Sequence, residues 1–128
     1  MSNKFKDLIN IDILKEVLSN NENFKNFKIQ KIQKIENGVI EFEYRFNGIN
    51  IYKLNLSDYY FICKQYALDK GYIVDTRIRN YCSGKALGII YNDDWTSEFS
   101  EYYIESFGGE SEIEVILKVV KWIYEKNM

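Results

Sequence analysis

The sequence predicts an α+β fold: an antiparallel sheet of about six strands in two meanders, with two to three helices packed on it as an α/β sandwich. Two observations support this fold class. Asn-Gly pairs at 37–38 and 47–48 separate segments of strand character, and Asn-Gly favours a tight hairpin because both residues tolerate positive φ. Helix-spaced apolar residues then follow each group of strands. We expect one domain spanning residues 1–128, since no linker or low-complexity stretch divides the chain.

The first half of the sequence has the pattern of one helix followed by strands. Apolar residues from Phe5 to Leu18 recur at helical spacing, with a break expected around Asn10 to Asp12. The segment Lys28 to Glu36 is interpreted as a strand, although its isoleucines recur every three residues. The segment Val39 to Phe46 alternates cleanly between apolar and polar residues, as a strand with one buried face does.

The second Asn-Gly pair predicts a register for the following hairpin. A two-residue turn would pair Phe46 with Ile49 and Tyr44 with Ile51. Both isoleucines would then share the apolar face of the sheet.

A second helix is predicted between Ser57, a good N-cap, and the Lys70-Gly71 stop. Its apolar stripe comprises Tyr59, Ile62, Cys63, Tyr66 and Ala67. Strands are then predicted at Tyr72 to Arg79, Ala86 to Tyr91 and Phe99 to Ser106. Gly108-Gly109 is interpreted as a turn into the last helix, which opens with a capping box of Ser111 and Glu114. The stripe of this helix comprises Ile113, Ile116, Leu117, Val120, Ile123 and Tyr124.

Composition limits the function classes. The 128 residues carry a formal net charge of −2 and are 46% hydrophobic, as in ordinary globular domains. Only three arginines are present, so direct nucleic-acid binding is not expected. No apolar run approaches the ~18 residues of a membrane span, and the start has no signal-peptide core. We therefore expect a soluble, cytoplasmic protein without membrane contact.

The chain contains no histidine. Nucleophilic mechanisms that need an imidazole base are excluded, together with the usual zinc and non-haem iron sites. Cys63 and Cys82 are too few to close a tetrahedral metal site, and we interpret both as packing residues. We expect a non-enzymatic protein without cofactor or metal, while an enzyme using carboxylates, Lys or Tyr stays open as an alternative.

Two arginines form a candidate anion-binding pair. Arg77 and Arg79 share one face of their strand if it alternates regularly, with Asp75 beside them. Two guanidinium groups on one face can grip a phosphate or carboxylate, although such a pair more often belongs to a charged solvent face. Together with Tyr81, Asn92 and Trp95, they would suit a nucleotide-like ligand if the loops converge.

The loop at 92–98 contributes the remaining candidates. Trp95 stands among polar residues as a candidate interface anchor, with packing against the sheet as its alternative. Asp93 and Asp94 are interpreted as a solvated loop rather than a Mg²⁺ site. Tyr102 and Tyr103 point to opposite faces of their strand, so at least one is expected to be exposed unless both faces of the sheet are covered, and an exposed tyrosine suits a protein interface or a homodimer contact. An acidic surface would comprise Glu41, Glu43, Asp93, Asp94, Glu98 and Glu101.

Two segments resemble a known group of proteins. These are LSDYYFICKQYALDKGY at 56–72 and YIESFGGESEIEVILKVVKWIY at 103–124. Both resemble small prophage-encoded proteins related to the phage ABA-sandwich group, in which a CKxxAxxxGY helix leads into a strand. The resemblance implies a layered α/β sandwich and a phage-accessory context, and it supplies no catalytic residue. Abundant Lys, Ile and Asn, which use AT-rich codons, agree with an AT-rich bacterium or its phage.

These observations predict a phage or prophage protein that binds and inhibits a bacterial defence component, in the manner of an anti-CRISPR protein. The alternatives are a sponge that sequesters a nucleotide immune signal and an immunity protein that neutralises a toxin.

Overall fold

The computed structural model of the chain describes residues 5, 7–79, 85–92 and 103–127. The elements, in chain order, are α1 Ile11–Ser19, β1 Lys28–Glu36, β2 Val39–Arg45, β3 Ile49–Asn55, α2 Leu56–Asp69, β4 Tyr72–Arg79, β5 Lys85–Asn92, β6 Tyr103–Gly109 and α3 Glu112–Lys126. The α+β class and the six strands in two meanders are confirmed. The strands form two separate antiparallel sheets of three, which we call sheet A (β1-β2-β3) and sheet B (β4-β5-β6).

The chain divides into two compact units at 62/63, within α2. In the first unit, α1 contacts β1 and buries the side chains of Ile13, Leu14, Val17 and Leu18. The helix starts at Ile11 rather than at Phe5, because the Asn10 side chain accepts a hydrogen bond from Ile13 N (2.9 Å) and so caps the first turn. No helix in the described part of the chain is long and apolar enough to span a membrane.

β1 accommodates its three-residue repeat through two bulges. Its pairing with β2 shifts register after Ile29 and again after Ile32, leaving Gln30 and Gln33 as extra residues. Each extra residue resets the alternation of side chains between the two faces of the sheet. The isoleucines of β1 therefore lie opposite the inward-facing residues of β2, in the pairs Ile29–Tyr44, Ile32–Phe42 and Ile35–Ile40.

An aromatic cluster covers the inner face of sheet A. Phe42 is fully buried and its ring stacks on Tyr52 at a centroid distance of 5.6 Å. Phe27 stacks on Tyr44 at 4.1 Å, and the buried Phe24 meets Tyr52 edge-on at 5.1 Å. These contacts favour Tyr52, rather than a neighbouring isoleucine, as the β3 residue opposite Phe42.

The predicted register of the β2–β3 hairpin is wrong by one residue. Arg45 pairs with Ile49, so three residues rather than two form the connection, and Asn47 and Gly48 both have positive φ. The Asn50 side chain donates to the carbonyl oxygens of Phe46 (3.0 Å) and Gly48 (3.2 Å), which stabilises this longer turn. A one-residue change moves every side chain to the other face, so Ile49 and Ile51 lie on the outer face. The first hairpin has the predicted two-residue turn, because Glu36 pairs with Val39.

α2 begins at Leu56, one residue before the predicted cap Ser57, and its main chain continues directly from β3. It ends as predicted, since Gly71 has φ of 95° and its amide donates to the Leu68 carbonyl oxygen (3.0 Å). Four members of the predicted stripe are buried, namely Tyr59, Cys63, Tyr66 and Ala67.

In the second unit, α3 packs on all three strands of sheet B. The predicted cap is present, since Ser111 Oγ accepts from Glu114 N (3.1 Å). The Glu114 carboxylate accepts from the amide of Glu110 (3.3 Å), one residue before the expected partner. Gly108 and Gly109, predicted as a turn, are the last two residues of β6, because they pair with Leu87 and Ala86.

Candidate functional site

The structure places Arg77 beside an acid. Its Nε atom donates to an Asp75 oxygen (2.9 Å), and Nη2 lies 2.7 Å from the same oxygen in an ion pair on an exposed face of β4. This hydrogen bond, with the charge of the carboxylate, raises the pKa of Arg77. Arg79 ends the strand two residues later, and its side chain lies outside the described residues. Since Asp75 offsets one of the two positive charges, the anion-binding pair stays a prediction.

The other predicted site residues are described only in part. Tyr81, Asp93, Asp94, Trp95 and Tyr102 lie outside the described residues, as do Cys82, Glu98 and Glu101. Asn92 and Tyr103 are described as strand positions, where they pair with Tyr72 and Tyr91. The convergence of a nucleotide-binding loop set therefore remains a hypothesis. Within the described ranges, no three Cys, Asp or Glu side chains come close enough to hold a metal ion.

A different surface is prominent in the first unit. Ile49 and Ile51 are 65% and 49% exposed, and they lie two residues apart on β3. Lys53 continues the same row of side chains and is also exposed. We call these three side chains, with the backbone groups beside them, the β3 edge surface.

The hydrogen-bond pattern shows which backbone groups this edge leaves open. At the two ends of the β2–β3 ladder, Phe46 N donates to Gly48 O (2.9 Å) and Leu56 N donates to Gly38 O (2.8 Å). In antiparallel pairing, these bonds make Arg45–Ile49 and Val39–Asn55 non-hydrogen-bonded pairs. By alternation, the backbone groups of 50, 52 and 54 bond to β2.

The amides and carbonyls of Ile49, Ile51 and Lys53 therefore point away from the sheet. β3 is an edge strand in the described structure, because sheet A has the order β1-β2-β3. Two exposed isoleucines, a lysine and main-chain groups that no other described residue pairs thus belong to the same row of the strand. Such an edge is a template for pairing with another strand.

The rest of the outer face is cationic rather than acidic. Glu43 lies between Lys31 and Ile51, and Glu41 lies between Lys34 and Lys53. Lys34 Nζ contacts Glu36 at 3.1 Å and Glu41 at 3.7 Å; the hydrogen bond to Glu36, followed by the charges of both acids, raises the pKa of Lys34. The sequence prediction of an acidic surface is thus wrong for Glu41 and Glu43, because Lys34 and Lys53 flank Glu41 and Lys31 lies beside Glu43.

Four cations of this face lack an ion-pair partner among the residues that the structure describes; they are Lys28, Lys31, Arg45 and Lys53. Lys28 lies directly opposite Arg45, at the end of the sheet next to Ile49. The outer face therefore combines an apolar edge with an excess of positive charge, since five cations (Lys28, Lys31, Lys34, Arg45 and Lys53) outnumber three acids (Glu36, Glu41 and Glu43). It is suited to a partner that carries both apolar and acidic side chains.

Other exposed apolar side chains are more scattered. Phe61 and Leu68 are exposed on α2, seven residues apart, and Ile78 is 59% exposed on β4. A helix has no open backbone groups along its length, and Ile78 stands beside Thr76, whose hydroxyl contacts a Glu112 carboxylate oxygen (3.4 Å). β3 is thus the described element on which two exposed isoleucines and an open strand edge coincide.

Sequence reasoning missed this surface because it assigned both isoleucines to the buried face. One signal was available: Tyr52 and Leu54 alternate with Ile51 and Lys53, so either face of β3 could have been the apolar one. A lysine on one of those faces favours it as the solvent side.

No protein-family model, curated protein or solved structure was found to match this chain. The resemblance of 56–72 and 103–124 to the phage ABA-sandwich group accordingly stays a prediction.

Proposed function

We propose that this chain is a non-enzymatic binding protein of a phage or prophage, and that its β3 edge surface holds and inhibits a bacterial defence component in the host cytoplasm. The observation that carries the binding role is the coincidence of Ile49 and Ile51 with an open strand edge. The phage context is supported by the resemblance of segments 56–72 and 103–124 to the phage ABA-sandwich group, and by the abundance of Lys, Ile and Asn, which AT-rich codons encode.

The energetics favour a covered edge. Full burial of an isoleucine side chain contributes about 1.5–3 kcal/mol, so Ile49 and Ile51, which are 65% and 49% exposed, would each add roughly 1–2 kcal/mol to a binding free energy. Soluble proteins usually protect edge strands with charged residues or bulges, as the bulged β1 edge with its lysines illustrates. β3 has a single lysine and no register shift in its pairing with β2. Its surface is therefore suited to an interface.

The test is a comparison of tagged proteins in a bacterial lysate, with mass spectrometry of the retained protein. The variant Ile49→Thr/Ile51→Thr keeps β-branched side chains and strand propensity while removing apolar surface. The matched control is Ile78→Thr, an exposed isoleucine in the second unit. We expect the wild type and the control to retain the same defence protein, and the double variant to retain at least tenfold less.

Circular dichroism and thermal unfolding must first show that all three proteins are equally folded. Equal retention by the double variant would contradict the β3 edge surface as the site. Specific retention of a protein with no role in defence would contradict the inhibitor role and leave the binding surface in place.

A further inference from the structure

We infer that the partner docks on β3 as an added antiparallel strand, through an extended segment with apolar side chains opposite Ile49 and Ile51 and an acidic side chain opposite Lys53. The inference rests on the proposed function, since it specifies the chemistry of the partner at the same surface.

The main chain of β3 defines the pairing positions. Ile49, Ile51 and Lys53 each direct one amide and one carbonyl outward, because the intervening residues bond to β2. These positions repeat every ~6.8 Å, the two-residue repeat of an antiparallel strand. A partner segment of about five to seven residues would satisfy all six backbone groups. This hydrogen bonding is independent of the partner's side chains, so the side chains supply the specificity.

The side chains of the row indicate what the partner carries. Ile49 and Ile51 would gain apolar cross-strand neighbours, which stabilise a sheet. The neighbour of Lys53 on β2 is Glu41, which already contacts Lys34 at 3.7 Å. An acidic side chain on the partner strand would therefore give Lys53 an ion pair of its own. The excess of unpaired cations on this face favours an acidic segment further.

A second copy of the chain is a poorer occupant. In any register, self-pairing would bring two copies of the same cationic face together, and β3 itself contains no carboxylate to place opposite Lys53. Such a pairing brings cations toward one another and gives Lys53 no carboxylate. We therefore assign the edge to a different, acidic chain.

Proline at position 51 isolates the backbone contribution. The amide of Ile51 points outward, so Ile51→Pro removes one donor from the open edge and leaves the hydrogen bonds of Asn50 and Tyr52 to β2 in place. Ile51→Ala is the matched control, because it removes most of the side chain but keeps the amide. Lys53→Glu reverses the charge of the row.

The probe is a fluorescent seven-residue peptide in which valine alternates with threonine, with glutamate replacing the valine opposite Lys53. We expect the wild-type chain to bind it, Ile51→Ala to weaken binding several-fold, and Ile51→Pro to weaken it at least tenfold beyond Ile51→Ala. Lys53→Glu should prefer the same peptide with lysine in place of glutamate. A peptide N-methylated at the amides that face β3 should not bind, and this control needs no variant to fold.

Several results would overturn strand addition. Equal binding of the N-methylated peptide would exclude backbone pairing, and a dimer in sedimentation that Ile51→Pro dissociates would assign the edge to a second copy. If Ile49→Thr/Ile51→Thr loses the retained defence protein while Ile51→Pro holds it, the proposed function stands and strand addition fails. If both variants hold it as the wild type does, both proposals fail.

Discussion

Gly88 controls how closely α3 approaches sheet B. It lies on the central strand β5, on the face that packs against the helix, and Val115 of α3 occupies the space where a β-carbon would stand. A methyl group there would overlap Val115 Cγ1, which belongs to a fully buried side chain. The close packing of α3 on sheet B therefore depends on the absence of a side chain at this position.

Gly88→Ala is expected to destabilise the protein by about 1–3 kcal/mol, the usual cost of overpacking a core. The control is Gly108→Ala on the adjacent strand, where the nearest atom to an added β-carbon is Ala86 O at 3.8 Å, an ordinary contact. Urea unfolding monitored by fluorescence measures both variants. Equal stability of the two alanine variants would contradict the close approach of Val115 to β5.

At the scale of elements, β3 combines one protected and one open edge. Its pairing with β2 uses the backbone groups of alternate residues, and the remaining groups meet solvent in the free chain. The inner side chains Tyr52 and Leu54 belong to the core, whereas Ile49 and Ile51 are exposed. A single strand thus contributes to folding through one set of residues and to binding through the other.

This arrangement predicts alternating amide exchange in the free protein. The amides of Asn50, Tyr52 and Leu54 should exchange at least tenfold more slowly than those of Ile51 and Lys53, because only the first set donates to β2. Residue-resolved hydrogen–deuterium exchange by NMR measures the pattern. Uniform protection along the strand would show that a second strand already covers the edge.

The elements of sheet A also show what sequence alone can predict. The position of β1 follows from its sequence, but its two bulges do not, because a three-residue repeat is incompatible with simple alternation. The two Asn-Gly turns are equivalent in sequence, yet one has two connecting residues and the other three. The local hydrogen bonds of the Asn50 side chain and the cross-strand stacking of Tyr52 on Phe42 stabilise the longer connection, and neither follows from the Asn-Gly pair itself.

The three-residue connection between β2 and β3 also explains why the sequence did not predict the β3 edge surface. If Phe46 paired with Ile49, both Ile49 and Ile51 would lie on the buried face of the sheet. In the structure Arg45 pairs with Ile49, so both isoleucines lie on the outer face. Arg77, the first of the two candidate anion-binding arginines, forms an ion pair with Asp75. Trp95 lies outside the described residues, so its role as an interface anchor stays a prediction.

At the scale of the whole molecule, the net charge conceals a local surplus. The chain carries a formal charge of −2, yet four cations on the outer face of sheet A have no ion-pair partner among the described residues. Net charge governs solubility, while local charge governs which partner surface is attracted. The sequence pattern correctly predicts the α+β class, and the net charge gives no indication of this cationic face.

The measurement that tests the binding surface most directly is residue-resolved amide exchange of the chain, free and in complex with the protein that it retains. We predict that binding slows exchange at Ile51 and Lys53 most strongly, with Ile49 as the third protected amide, because these groups become bonded to the partner strand. Slowed exchange confined to another element, such as β4 beside Arg77, with these amides unchanged, would contradict the β3 edge surface as the binding site.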